Sequence, residues 1–405
     1  MEKIKAREHD FSSKLRQKSV IKRLRQYISW QRSQGAPTAP QGLPDFGPIS
    51  INLDLTSACN FSCPHCVDST IIGTKRAIPV EEIKKTLRSL HSKGLLSVIL
   101  LGGGEPTLHR EVEDIARYVK RMGLQLGIVT NGARLDRIAG ALPLLQEKDW
   151  VRISIDAASE GTFKALHQPR GGVTLKQILK KANRAKEINP AVSLGYSFVI
   201  VWSGMDIGGK RLTPNVEEMA DAVTLGKEYG FDYISFKPCL IRLEESQRES
   251  LLDHVDRDKE KKIVGEIQRN IAMARSRANG EIRILESVNL TALLSGEATR
   301  IKRQPRRCHM QFFRTVVSPV GIFHCPAFRG IDKAKIAERD GYAGNREFEK
   351  SLKRAADSIL TFNAEEECQE VGCFYHQTNW WLENFIRSGR DVGDLPMVGD
   401  DNFFL

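Results

Sequence analysis

No stretch of the sequence approaches the roughly 20 consecutive apolar residues that cross a bilayer, so no membrane span is expected. Where a secretory signal would carry an apolar core the chain has Glu2, Lys3 and Lys5, and a cytoplasmic location is expected. In that reducing compartment the eight cysteines are expected to be metal ligands before disulfides. Internal repeats and low-complexity tracts are missing too. What is left is a chain of 405 residues, long enough for one large catalytic core with smaller attachments.

Acidic side chains are in deficit, 50 against 61 Lys and Arg, for a net charge of +11. About half of that excess is local, because residues 1–48 hold ten Lys or Arg and four Asp or Glu. Val20, Ile21, Leu24 and Ile28 recur there at helical spacing among Lys18, Lys22, Arg23 and Arg25, the pattern of an amphipathic helix with one packed face. A helix docked on the body is the expectation; an arm that binds nucleic acid is the alternative the charge allows. Pro37, Pro40, Pro44 and Pro48 make residues 33–48 an extended linker.

Past the linker, strand-like apolar runs at 51–55, 96–101, 126–129, 151–155, 194–201 and 233–236 alternate with charged amphipathic segments near 80–93, 111–122, 134–146, 175–187 and 215–229. Such alternation specifies a parallel α/β sheet or partial barrel, and Pro79 followed by Glu81 and Glu82 marks a helix start. After Pro238 the pattern gives way to a charged helical stretch over 244–277 and a short apolar run from Ile282 to Leu294. Residues 301–376 then gather four cysteines in a loop-rich segment, as when metal rather than a large core orders the chain. Trp380, Trp381, Leu382 and Phe385 predict a packed terminal helix.

Cys59-Asn60-Phe61-Ser62-Cys63-Pro64-His65-Cys66 sets three thiols in one loop after the first strand. Three ligands complete three corners of a 4Fe-4S cube and leave one iron open, where electron-transfer ferredoxins supply a fourth cysteine. That iron can take the amino and carboxylate groups of S-adenosylmethionine (SAM). A structural zinc site, the alternative, needs four ligands and favours paired cysteines. With this C-x3-C-x2-C spacing after strand one of an α/β repeat, the sequence resembles the radical SAM superfamily over residues 51 to 238.

The resemblance implies a partial (β/α)6 TIM-type barrel over 49–238, preceded by a basic helix and linker (1–48). A helical linker (239–300), a small C-terminal twitch/SPASM-like iron-sulfur domain (301–378) and a terminal helix and tail (379–405) follow. It implies that Cys59, Cys63 and Cys66 hold a SAM-binding 4Fe-4S cluster and that His65 lies beside the adenine. Gly102-Gly103-Gly104-Glu105-Pro106 looks like the family's GGE motif, so Gly103, Gly104 and Glu105 are expected to receive the SAM ammonium; taken alone they are a loop turn. Ser154 and Asp156 share one face at the end of the fourth strand, and Asn131 ends the third. The family's contacts with the methionyl carboxylate and ribose are expected of these three, against a strand cap or helix N-cap.

Cys308, Cys325, Cys368 and Cys373 suffice for a second, fully ligated auxiliary 4Fe-4S cluster, an arrangement that resembles SPASM and twitch regions. It departs from SPASM in having one residue fewer between Gly321 and Cys325 and no cysteines for a further cluster. Zinc on the same four thiols is the alternative. His309, His324 and His376 are potential substitute ligands with local folding as the expected role, and Cys239 is expected to be a buried small residue.

The implied activity is that of a radical SAM enzyme: reductive SAM cleavage, then hydrogen abstraction that oxidises or rearranges a small polar, sugar-like metabolite. An external electron donor such as flavodoxin or ferredoxin is implied. A small-molecule substrate leads because the auxiliary segment is short, an argument from fold analogy. Maturation of a ribosomally made peptide, tRNA modification and an iron-sulfur sensor remain alternatives; nucleic acid is not expected as a partner.

Overall fold

The computed structural model describes residues 10–34, 42–69, 71–243, 249–251 and 257–402. Its main sheet opens with seven parallel strands: β1 (Ser50–Leu53), β2 (Ser97–Leu100), β3 (Gln125–Thr130), β4 (Trp150–Ser154), β5 (Ser193–Ile200), β6 (Tyr233–Pro238) and β7 (Arg283–Glu286). Each pairs with the next in chain order, the topology of a partial parallel barrel. On the far side of β1 the same sheet continues through β8 (Arg314–Ser318), parallel to β1, then β9 (Gly321–Phe323) and β10 (Lys335–Ala337), each antiparallel to the strand before it.

Helices Val80–Ser92, Val112–Arg121, Leu175–Ile188 and Met219–Glu228 fill the connections, close to their expected places. The segment 134–146 differs. It forms two short 3-10 turns, Leu135–Ile138 and Leu142–Leu144, because Pro143 has no N–H to donate and crowds the preceding turn. Asn189 Nδ2 takes up the carbonyls of Leu142 (2.8 Å) and Leu145 (2.9 Å). The run Ile282–Leu294 also differs: it splits into β7 and helix Val288–Leu294, so the parallel sheet extends past residue 238. Helix Glu160–His167, capped by Ser159, is an addition.

Strand residues alternate between two faces, and here the faces differ in chemistry. Ile51, Leu53, Val98, Leu100, Leu126, Ile128, Val151, Ile153, Leu194, Tyr196, Phe198, Ile234 and Phe236 share the outer face by register and are buried beneath the helices. The inner face carries Asn52, Trp150, Arg152, Ser154, Ser197, Tyr233, Ser235 and Lys237. Ile99, Val129, Val199 and Leu285 share that face by register, so the lumen mixes apolar side chains with cations and hydroxyls.

Helix Ile21–Ser33 buries Ile21, Leu24, Tyr27, Ile28 and Trp30, and Arg32 Nε donates to the Ile386 carbonyl (3.1 Å) of the terminal helix His376–Arg387. The basic face thus belongs to a docked helix. Residues 1–9, Pro37 and Pro40 of the linker, and 244–248 and 252–256 of the charged stretch lie outside the described residues; the helix in that stretch is Arg257–Ala278. Among the described residues no helix is long and apolar enough to cross a membrane.

Candidate functional site

The Cys59–Cys66 loop leaves β1 at the C-terminal end of the strands, where parallel barrels gather their ligands. It has little regular structure and is held by side chains from elsewhere. The Arg170 N–H donates to the Asn60 carbonyl (3.0 Å) and its Nη2 to Ser62 Oγ (3.2 Å). Asn131 Nδ2 donates to Asn60 Oδ1 (2.8 Å), while Phe61 packs against Phe163 and His167. Cys63 Sγ lies 3.2 Å from His167 Nδ1, whose Nε2 faces the Ile155 carbonyl at 2.7 Å.

Burial pushes all three thiols up, Cys66 to about 12, and nearby negative charge on Cys66, Asp156 and Cys59 adds to the effect at Cys63. Thiols so placed ionise when positive charge joins them. Iron supplies that charge, since a coordinating thiol is deprotonated outright, so the donor set fits a cluster.

The glycine turn closes on the same loop. The Glu105 N–H donates to the Ala58 carbonyl (2.8 Å), and a Cβ on Gly104 would stand 2.5 Å from the carbonyl oxygens of Thr56 and Ala58. Only glycine lets the two backbones meet there. Glu105 is 3% exposed and committed to the protein: Oε1 accepts from the Thr107 N–H (3.0 Å) and Thr130 Oγ1 (2.6 Å), Oε2 from the Asn131 N–H (2.8 Å). Its carboxylate knits the turn to the end of β3.

Asp156 occupies the left-handed region (φ +51°), a strained place for a non-glycine residue. Its Oδ1 accepts from the Val199 N–H (2.7 Å), and its Oδ2 faces His65 Nε2 (3.3 Å) and His167 Nε2 (3.4 Å). Burial opposes ionisation, but the hydrogen bond from His65 and the two nearby imidazoles hold this carboxyl below its ordinary range. His65 Nδ1 is buried with no hydrogen-bond partner among the described residues, an atom left over for a bound group. Ser154 is half-buried on the lumen face. His65, Asn131 and Asp156 thus come together around the thiol loop, with Gly103, Gly104 and Glu105 packed beside it.

Cys308, Cys325 and the Cys368–Cys373 turn bring four thiols from three segments to one cavity, which Phe328, Phe362 and Tyr375 also line. Burial raises Cys325 to about 12, with a further push from Cys308; Cys373 is raised by burial and then by Cys308 and Cys325. Thiols so buried ionise only beside positive charge, which iron or zinc alike would supply. His324 lines the cavity, both ring nitrogens buried and without a hydrogen-bond partner among the described residues. His309 is spoken for, with Nδ1 2.8 Å from Tyr27 Oη and Nε2 2.9 Å from Glu383 Oε2; His376 Nδ1 lies 3.3 Å from Gln304 Nε2. Cys239 is buried.

Sequence reasoning missed His167, Arg170 and a buried ion-pair cluster beneath the loop. Arg329 Nε lies 2.7 Å from Asp54 Oδ2 and Nη1 2.6 Å from Asp68 Oδ1, while Asp68 Oδ2 accepts from the Gly103 N–H (3.2 Å). The one hint was position, since Asp68 and Arg329 each closely follow a candidate ligand.

Residues 53–207 match the family model described as Radical SAM superfamily. The match covers under half of the chain, and over that segment the chain is similar to this family. A protein of Thermoplasmatales archaeon (strain ISO4-H5) named "S-adenosylmethionine-dependent nucleotide dehydratase" is 32% identical over 155 residues, covering 37% of this chain and 52% of that protein. One of Thermoplasma volcanium named "Probable GTP 3',8-cyclase" is 28% identical over 228 residues, 55% of this chain and 65% of that protein. The chain thus spans about half to two thirds of the length of these curated relatives. Among solved structures, Streptococcus suis SuiB bound to precursor peptide SuiA shares the fold with a TM-score of 0.57 at 16% identity, over 88% of this chain and 76% of that one.

Proposed function

We propose that the chain is a radical SAM enzyme that takes a hydrogen atom from a small polar, sugar- or nucleotide-like substrate held in the barrel lumen. The meeting of the thiol loop, the glycine turn and the His65–Asp156 pair at one barrel mouth carries this reading. Cys59, Cys63 and Cys66 hold the SAM-binding cluster, and Cys308, Cys325, Cys368 and Cys373 the auxiliary one. Once loaded, these residues would hold a cluster and SAM that, fed one electron by a flavodoxin- or ferredoxin-type donor, would supply reductive SAM cleavage and with it the oxidising equivalent for hydrogen abstraction from substrate.

The protein's own part is placement. The carbonyls around Gly103 and Gly104 accept from the SAM ammonium, and Glu105 holds that turn in shape through Thr107, Thr130 and Asn131. His65 stands at the adenine with Nδ1 open, oriented by Asp156 through Nε2. Ser154 and Asn131 serve the methionyl carboxylate and ribose. Phe61 and Phe163 pack beside the loop and keep water from it.

The nucleotide names of the two relatives favour a small-molecule substrate. Likeness of fold to SuiB makes peptide maturation the second reading. The test is anaerobic incubation of reduced, iron-loaded protein with SAM: 5′-deoxyadenosine is expected, and none from a variant with Cys59, Cys63 and Cys66 all changed to Ala. Wild-type rates from that variant would sink the proposal.

A further inference from the structure

We propose that Arg152 and Lys237 form an anion subsite inside the barrel that seats the phosphate of a phosphorylated small-molecule substrate. This deepens the reading above and rests on its placing substrate in the lumen.

The lumen floor is built to present a guanidinium. Gly127 and Gly195 lie on the inner face of β3 and β5, and a Cβ at either would fall 2.4 Å from the Trp150 ring or 2.2 Å from the Tyr233 ring. The two glycines thus make room for two large rings. Between those rings lies Arg152, its guanidinium carbon 4.9 Å from the Trp150 centroid and 5.8 Å from that of Tyr233, with Nε donating to Tyr233 Oη (3.4 Å). Its cation is held by aromatic faces and not by an acid. The residue is 8% exposed, and Nη2 is buried with no hydrogen-bond partner among the described residues.

A second cation, four residue pairs further toward the mouth by register, reaches back along the same face. Lys237 Nζ donates to Ser197 Oγ (3.3 Å), and Ser197 lies opposite Ser235, whose own hydroxyl is buried with no partner among the described residues. The carboxylate that acts on Lys237 is Asp156, already engaged by the Val199 N–H, His65 and His167. Burial, then the charge of Arg152, pushes the Lys237 ammonium down to about 7. The exposed Arg283 lies over the Tyr233 ring at 5.8 Å.

Two cations and two hydroxyls without a dedicated counter-charge are costly in a desolvated lumen. An anionic ligand removes that cost. A phosphate brings three acceptor oxygens in tetrahedral array, enough for the guanidinium, the ammonium and the hydroxyls together; the two coplanar oxygens of a carboxylate would leave donors unmet.

The test uses the full chain with its iron centres reconstituted. Binding of inorganic phosphate is measured by calorimetry, with acetate as the second probe. Phosphate should bind more tightly than acetate. Arg152→Gln and Lys237→Met should each weaken phosphate binding about tenfold or more, and Arg152→Lys should fall between. Acetate binding as tight as phosphate overturns the phosphate assignment, and undiminished binding in both variants overturns the subsite. Thermal melts establish that the variants fold; if Arg152→Gln does not, Lys237→Met carries the test. SAM cleavage is assayed separately: a protein that binds phosphate in this way but never cleaves SAM refutes the enzymatic reading and leaves the subsite standing. One that cleaves SAM without binding phosphate refutes the subsite.

Discussion

The guanidinium of Arg329 stands 2.6 Å from the carboxylate of Asp68, so the residue four places beyond Cys325 holds the residue two places beyond Cys66. A second arm of Arg329 reaches Asp54 at the end of β1 (2.7 Å). Arg242 adds a strap to the same loop, its Nε donating to the Val67 carbonyl (2.7 Å) while it pairs with Glu249 (3.0 Å). The two cysteine sets, remote in sequence, are thereby tied through buried charge. Burial favours a neutral Asp68, yet Arg329 holds its carboxyl below the ordinary range.

Removing that guanidinium strands two buried carboxylates. Arg329→Met should therefore destabilise the protein by about 3–5 kcal/mol and lower the iron retained at both sites. Arg329→Lys, which keeps the charge but cannot fork between two acids, should recover part of each. Thermal melts with iron analysis decide it; a Met variant with wild-type melting and iron content would show that the tie is idle.

Iron content is the next expectation: about eight irons per chain from two 4Fe-4S clusters. Changing Cys308, Cys325, Cys368 and Cys373 to Ala should remove about half of them and leave some SAM cleavage. Stoichiometric zinc in anaerobically purified protein, with iron for one cluster, would instead assign the four-thiol cavity to zinc.

Lys237 gives a pH dependence with a definite sign. Its folded value is held near 7 against an ordinary 10.5, so across that window the unfolded chain carries a proton the folded chain lacks, and stability climbs with pH. Below the window the folded state must bury a charged ammonium. Lys237→Met should therefore stabilise the protein most at about pH 6 and less at about pH 9. Melting shifts of equal size at both pH values would contradict a depressed Lys237.

The N-terminal helix offers a packing test. Leu24 is fully buried, so Leu24→Ala should cost about 2–5 kcal/mol. Nucleic-acid binding carried by phosphate contacts weakens steeply with salt. Tight, salt-sensitive RNA or DNA binding that vanishes on deleting residues 1–32 would overturn the docking role.

The thiol loop and the glycine turn are legible in the sequence because their chemistry lies in a few consecutive residues. Glu105 shows where legibility ends: a sequence places a carboxylate but not its direction, and Thr107, Thr130 and Asn131 claim this one. Asp156 is similar, taken by His65 and His167. His167 meets Cys63 from a helix about a hundred residues on, and nothing local announces the contact. Six of the parallel strands follow from apolar runs. The seventh does not, since Arg283 and Glu286 flank only two apolar residues and the register with β6 is a tertiary matter. At 134–146, helical periodicity yields to Pro143.

The parallel pairing of β8 with β1 has a consequence for modularity. Every residue of β1 is matched on both sides, by β2 and by β8. A fragment ending at residue 238 would turn β1 and β6 into open edges, each a template for pairing with another molecule. The segment bearing the last four cysteines is thus no cassette to be exchanged between barrels, in evolution or at the bench, because excising it exposes the strand from which the first three cysteines hang.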